Sequence, residues 1–438
     1  MTRAINWLFT AVAVLLLVSQ SFAEEKSVTY SGKLWDRSTL SGDWGGTRND
    51  LAVKGVTFDA SWTEIWQGVT NGGNNFKEEG WQYGGRGNLT INVDSQKLGL
   101  WPGGFLTVEV EGNVGSDING QPGAIMPVNS NQVYPTPPIV NSDNLNVPEV
   151  AIMQFFSYYV GMVVGKLDTT SGDANEFAHG KGDVQFFNLA LNINPVTLLV
   201  SPYSTLGAGL IILPTKDPDA ALVTLSAIQS VGKASTVGDW SDDQVTYAGE
   251  ARVRTDFFGL TGHQLIGGEY SNKDFTSLDQ SLRFIIQNGE IQMKSNSWSA
   301  YYNFDQYVYE TKKGSGRGIG IFGRYGISDG NPNPINHFFS LGLGGKGVIP
   351  GRPYDGFGIG YYYIDVSNPT FTTSLATRSL LRDEYGVEAY YNYALTQWMK
   401  LTEDIQFIRP SQKDFFTGLT RENLNNATVF GVRLQAIF

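Results

Sequence analysis

Apolar and polar side chains alternate with a period of two over most of the chain. In the clearest run Arg86, Asn88, Thr90 and Asn92 share one face, and Gly87, Leu89, Ile91 and Val93 share the other. Beyond a turn at Gly103-Gly104, Leu106, Val108 and Val110 oppose Thr107, Glu109 and Glu111. Period two is the signature of a strand with two unlike faces, and these two runs predict a β-hairpin. The pattern recurs where Glu250, Arg252 and Arg254 oppose Ala251 and Val253, where Ser299 and Tyr301 oppose Trp298 and Tyr302, and where Glu388 and Tyr390 oppose Val387 and Ala389. About sixteen or seventeen runs of about 7–11 residues can be marked, separated by Gly, Asn, Asp or Pro. Helical periodicity is scarce. One short helix is expected near residues 48–54, ended by Gly55 beyond its last turn.

Alternation alone fits two architectures. A soluble sandwich buries its apolar face, whereas a transmembrane barrel turns that face to lipid and lines its lumen with the polar one. Three features favour an all-β antiparallel barrel of about sixteen strands. Aromatic residues gather at strand ends, as in Tyr361-Tyr362-Tyr363 and Tyr390-Tyr391, where interfacial girdles lie. Ionisable residues recur in mid-strand on the polar face. The strands are too many for one sandwich, and no fixed-period repeat suggests a propeller. The final stretch, TVFGVRLQAIF at 428–438, sets Phe430, Val432, Leu434, Ala436 and Phe438 on one face. Such an edge would invite aggregation in a soluble sheet, but in a barrel it pairs with the first strand.

Composition narrows the choice. The 438 residues carry 31 basic and 42 acidic side chains, a net charge of −11, with 52 Gly and 56 aromatics (10 Trp, 21 Tyr, 25 Phe). Charged residues make up 17% of the chain, against about 25% in average soluble proteins. The aromatic content excludes a disordered chain. The absence of Cys excludes disulfides and thiolate metal sites, and the acidity argues against a nucleic-acid partner. Residues 1–23 read as a signal peptide: Arg3, an apolar stretch from Ile5 to Val18, then Ser21-Phe22-Ala23. That apolar stretch is too short for a membrane span, which needs about 20 residues. The remainder divides into a periplasmic segment over 24–56 and a barrel over 57–438.

Other chemistry is poorly supported. His179, His263 and His337 have no metal-binding spacing. Asp168, Asp173 and Glu176 lack a calcium loop and read as solvated loop acids. Glu109 and Glu111 lie on one strand face, a poor arrangement for the flanking carboxylates of a glycosidase. The Gly-rich 316–326 lacks the Lys-Ser/Thr of a phosphate loop and reads as a strand with small lumen residues. The Asn/Pro/Gly-rich stretch 112–149 is too long for a hairpin turn, and is expected either to lie outside the cell or to fold partly into the pore.

Five motifs, in order, resemble the OprB family of carbohydrate-selective porins: SGDWGGTR at 41–48, KLGLWPGG at 97–104, VGKLDTTSGDANEF at 164–177, PGRPYDGFG at 350–358, and the stretch 385–410 from YGVEAYYNY to IQFIRP. The resemblance implies a 16-stranded outer-membrane barrel that admits small sugars by diffusion through a constricted polar pore, with no catalysis, cofactor or metal. It also implies that the strand ending in Phe438 is the assembly signal read by the barrel assembly machinery, with the barrel in outer-membrane lipid as a monomer or homotrimer. Sugar passage needs aromatic faces for stacking and charged groups that replace water on the hydroxyls. Arg86 and Glu109 project from the polar faces of the predicted hairpin, and the resemblance independently points to an Arg and a Glu there. Glu111, Arg252, Arg254 and Arg433 are further lumen candidates, and Tyr301 and Tyr390 are candidate stacking residues. Arg37 and Arg48 are expected near the periplasmic mouth, with Arg48 counted among the constriction candidates. The alternatives are a general diffusion porin and, in another class, an exported soluble β-rich carbohydrate-binding protein or glycosidase.

Overall fold

The computed structural model describes residues 30–74, 80–133, 145–238, 243–367, 370–372, 377–379, 381–417 and 420–438. The expected signal peptide and residues 134–144 of the long 112–149 stretch lie outside the described residues. Sixteen antiparallel strands close into one barrel. In chain order they are β1 (Val56–Gly73), β2 (Gln82–Asp94), β3 (Gly104–Gly115), β4 (Leu145–Phe155), β5 (Val160–Asp168), β6 (Ser204–Ile212), β7 (Ala221–Gln229) and β8 (Val245–Thr255). The second half comprises β9 (Gly262–Thr276), β10 (Met293–Glu310), β11 (Gly318–Ser328), β12 (Ile335–Lys346), β13 (Gly356–Val366), β14 (Glu384–Ala394), β15 (Met399–Arg409) and β16 (Asn425–Ile437). Each strand pairs with its sequence neighbour, and β1 pairs with β16, Trp66 opposite Val432, so that the sheet has no edge.

Connections at one end are short, such as 156–159 and 395–398, whereas those at the other include 116–144 and 169–203. Short turns mark the periplasmic end of an outer-membrane barrel. The outer wall is apolar: Val150, Ile152, Leu210, Ile266, Leu341 and Ile359 are all exposed. So extensive an exposed apolar band fits a lipid-facing surface. Tyr361 and Tyr363 face outward, Tyr363 stacked on Phe339 and Tyr361 tilted against it, but Tyr362 between them is buried inside the barrel. The triple-Tyr cluster is therefore only partly girdle, because period two turns its middle residue inward.

The N-terminal segment lies under the periplasmic end. Its helix α1 (Thr47–Val53) ends as expected before Gly55, whose positive φ of 86° suits a residue without a Cβ. Arg48 does not enter the lumen, which corrects its assignment to the constriction. Its guanidinium lies over the Tyr30 ring at 3.9 Å and donates to the Thr39 hydroxyl at 3.1 Å and the Phe438 carbonyl at 3.0 Å. The Leu40 amide donates to the Ile437 carbonyl at 2.7 Å, and the Trp398 indole to the Leu34 carbonyl at 2.7 Å. The segment thus clasps the seam where β16 meets β1.

The lumen is not polar throughout. Phe177, Phe186, Leu191 and Val196 of the segment 169–203 pack against Phe322, Phe338, Tyr362 and Tyr390 of the wall, forming the main apolar core. A single polar lining was expected. The difference arises because this segment turns inward and gives the inner faces of β10 to β14 something apolar to cover.

Candidate functional site: the constricted lumen

The lumen side chains follow from strand alternation. On β2 and β3, Arg86, Thr90, Glu109 and Glu111 turn inward while Leu89 and Val108 turn out. What they meet is the inward segment 169–203, pinned at four places. The first pin is ionic. Lys181 lies 2.6 Å from Asp168, 2.7 Å from Glu111 and 3.1 Å from Glu109. Arg86 pairs with Glu111 and lies 3.4 Å from Asp183, and the Tyr203 hydroxyl donates to Glu111 at 2.5 Å. Burial alone would push the Lys181 ammonium down, but the carboxylates of Asp168, Glu109 and Glu111 outweigh it and hold the group well above the usual lysine range.

The second pin is Arg324 of β11. Its Nε lies 2.7 Å from Asp173, and its Nη2 donates to the Ala178 carbonyl at 2.6 Å. The third is Arg433 of β16, which donates to the Gly182 and Gln185 carbonyls at 2.8 and 3.0 Å and lies over the Phe187 ring. The fourth is Glu388 of β14, which accepts from the Phe187 amide and, at 2.9 Å, from the Asn188 amide. A second inward stretch, 116–133, is tied similarly: Glu384 accepts from the Ile125 and Met126 amides at 2.6 and 3.2 Å. These charges replace hydration with bonds to loop backbone, so the loops are held rather than merely packed.

Glycines make room for this packing. A Cβ at Gly320 or Gly344 would run into the Phe177 ring, and one at Gly326 would meet Asn194 and Val196. The Gly-rich 316–326 is therefore a strand with small lumen positions, as expected, and the inward loop fills the space they leave.

Arg86, Glu109 and Glu111 are brought together, but they are 2%, 3% and 0% exposed and have almost no surface to offer a solute. Arg252 and Arg254 form a separate group at the periplasmic rim with Asp219, which lies 3.0 Å from Arg254, 3.4 Å from His263 and 3.8 Å from Arg252. His263 and the two arginines hold the Asp219 carboxyl well below the usual range. Tyr301 donates to Glu250 at 3.0 Å, and Tyr390 packs edge-on against Phe186 at 4.9 Å. Asp168 and Asp173 are buried in ion pairs, and Glu176 accepts from the Tyr307 hydroxyl at 2.8 Å. They are not solvated loop acids, because their loop folds inside the barrel. Sequence reasoning missed Lys181, Asp183 and Arg324: the first two lie in a loop without periodicity, and Arg324 sits in a strand read only for its glycines.

A closed sixteen-strand barrel that holds its own loops inside the lumen is the architecture of an outer-membrane porin. The chain belongs to the family described as "Carbohydrate-selective porin, OprB family", which it matches over residues 78–438. Its fold is similar to the high-pH structure of Pseudomonas putida OprB, with a TM-score of 0.76 at 20% identity, covering 93% of this chain and 100% of that one. The low-pH structure of the same protein gives 0.56 at 18% identity, over 92% and 99% of the two chains. Porin B of Pseudomonas aeruginosa is 25% identical over 148 residues, 30% of this chain, so the match spans 31% of that relative's length. Family and barrel together place the chain in a bacterial outer membrane, as a channel rather than an enzyme.

Proposed function

We propose that this porin lets small sugars diffuse passively through a polar, constricted lumen. The observation that carries this reading is the pinned segment 169–203, which narrows a barrel of a size that otherwise leaves an open aqueous channel. Groups with more exposure are Asp183 on the segment itself and Arg254 at the periplasmic rim, with aromatic rings such as Tyr301 on the wall. Arg86, Glu109 and Glu111 set the position of the loop, and the more open groups meet the solute. Weak contacts suit a channel, since tight binding would stop release. Phe438 and its strand serve as the signal to the assembly machinery. The barrel functions as a monomer or a homotrimer, which cross-linking in native membranes distinguishes.

The test is single-channel recording in a planar bilayer. Glucose should reduce the current in a concentration-dependent way, while an amino acid of similar size should not. Equal effects of the two solutes would leave a general diffusion porin in place of a sugar-selective one.

A further inference from the structure

The outer wall carries a pair of arginines at its extracellular rim, away from the lumen. Arg409 is the last residue of β15, at the end opposite the short periplasmic turn 395–398. Ile408 before it is buried in an inward apolar cluster, so alternation turns Arg409 and the exposed Phe407 outward. Tyr385, opposite Arg409 on β14, is also exposed, and the Arg409 guanidinium lies 5.4 Å from the centre of its ring. The Tyr385 ring in turn meets the outward Tyr361, with centroids 6.4 Å apart. Such aromatic belts lie at the depth of the lipid headgroups, and Arg409 stands at that depth.

Arg382, just before β14, joins it. Its Nε donates to the Pro410 carbonyl at 2.9 Å and its Nη2 to the Leu424 carbonyl at 3.0 Å. Arg409 donates through Nη1 to the Asp383 carbonyl at 3.4 Å. These bonds hold both guanidiniums in place without bringing a negative charge, and they leave further N–H donors on each. Burial, and then repulsion from Arg409, disfavours the charged form of Arg382, so the two groups are near enough to oppose each other. Among the described residues neither forms an ion pair. The neighbouring carboxylate of Asp383 is committed toward β13, where it accepts from the Tyr363 hydroxyl at 2.8 Å and the Val366 amide at 3.3 Å.

We infer that Arg382 and Arg409 form a binding site for the phosphate of an outer-leaflet lipid headgroup, with Tyr385 and Phe407 against the apolar part of the same lipid. The planar fork of a guanidinium matches phosphate oxygens bidentately, and an anion between the two groups removes their repulsion. The exposed Phe407 below the pair favours a lipid over free phosphate, since an acyl chain would cover it. The site faces away from the lumen, so it does not depend on which solutes the channel passes.

The test follows the unfolding temperature of the detergent-purified barrel, read from its heat-modifiable gel mobility. Three additions are compared: lipid A with both phosphates, the same lipid after enzymatic dephosphorylation, and inorganic phosphate. The phosphorylated lipid should raise the unfolding temperature by several degrees, and the other two should do much less. An Arg382→Gln/Arg409→Gln variant should lose the rise and keep the single-channel conductance of the unmodified protein. If that variant fails to fold, Arg409→Gln at the strand end should reduce the rise on its own. A rise of equal size with dephosphorylated lipid overturns the inference, as does one that survives the arginine substitutions. A rise matched by inorganic phosphate alone overturns the assignment to lipid.

Discussion

Lys181 places one ammonium among three carboxylates, and removing it would leave Glu109 and Asp168 without their nearest cation. Breaking a buried pair from one side typically costs about 3–5 kcal/mol. Because Arg86 still pairs with Glu111, the expected loss for Lys181→Met is at the lower end. It should appear as unfolding at a lower temperature, read from gel mobility, together with noisier channel current. An unchanged unfolding temperature would show that the cluster does not hold the loop. Arg86→Ala should act in the same direction, raising conductance and weakening sugar discrimination through the loop rather than by lost contact with sugar. Arg86, Glu109 and Glu111 were legible because alternation fixes which way a strand side chain points. Lys181 was not: its partners Glu109 and Glu111 lie 72 and 70 positions away, and nothing periodic in the loop reveals that meeting.

The inward segment 169–203 fits because glycines on β11 and β12 leave space for Phe177. Gly320→Val would fill that space, so the loop should lift from the wall. The expected outcome is higher single-channel conductance with reduced sugar block, and unchanged values of both would mean that the loop accommodates the side chain. The periplasmic turn carrying Asp219 gives a pH dependence. Its carboxyl faces His263, Arg252 and Arg254, with Asp217 beside Arg254 and Asp305 beside His263. A carboxyl whose folded pKa is depressed stabilises the fold above its unfolded value of about 3.9, and that contribution is lost as pH falls through the folded value. Asp219→Asn should therefore unfold more readily than the unmodified protein near neutral pH, with the gap closing in strong acid. A gap that is constant with pH would contradict the electrostatic account. The stretch 112–149 was recognisable as a long loop, although its ends, 112–115 and 145–149, belong to β3 and β4; of the remainder, the described 116–133 folds inward. The larger inward segment escaped notice because its acids look solvated until their partners on distant strands are known.

At the scale of the whole barrel, strand number and closure were legible from counting period-two runs and from the apolar last strand. The apolar part of the lumen wall was not, since alternation separates two faces without saying which neighbour covers each. The clasp around Arg48 also went unseen, because α1 and the seam belong to opposite extremes of the sequence. Arg48→Ala removes a stacked guanidinium and its bonds to the Phe438 and Phe58 carbonyls. The loss should be about 2–4 kcal/mol, measured as a lower unfolding temperature with conductance preserved. A changed conductance would place Arg48 nearer the permeation path than its contacts indicate.

The seam has a kinetic consequence. Arg48 and the Phe438 carbonyl are 390 residues apart in sequence, and β1 meets β16 across nearly the same span. Contacts so distant carry the largest loop-closure entropy, so they form late. Until they do, the sheet is an open ribbon with two unsatisfied rims, each able to recruit another chain. Because the clasp bonds to β16 through Ile437 and Phe438 and to β1 through Phe58, it can form only on a ribbon that has already curled round. Protection of the Leu40 amide from hydrogen exchange would therefore time the completion of assembly.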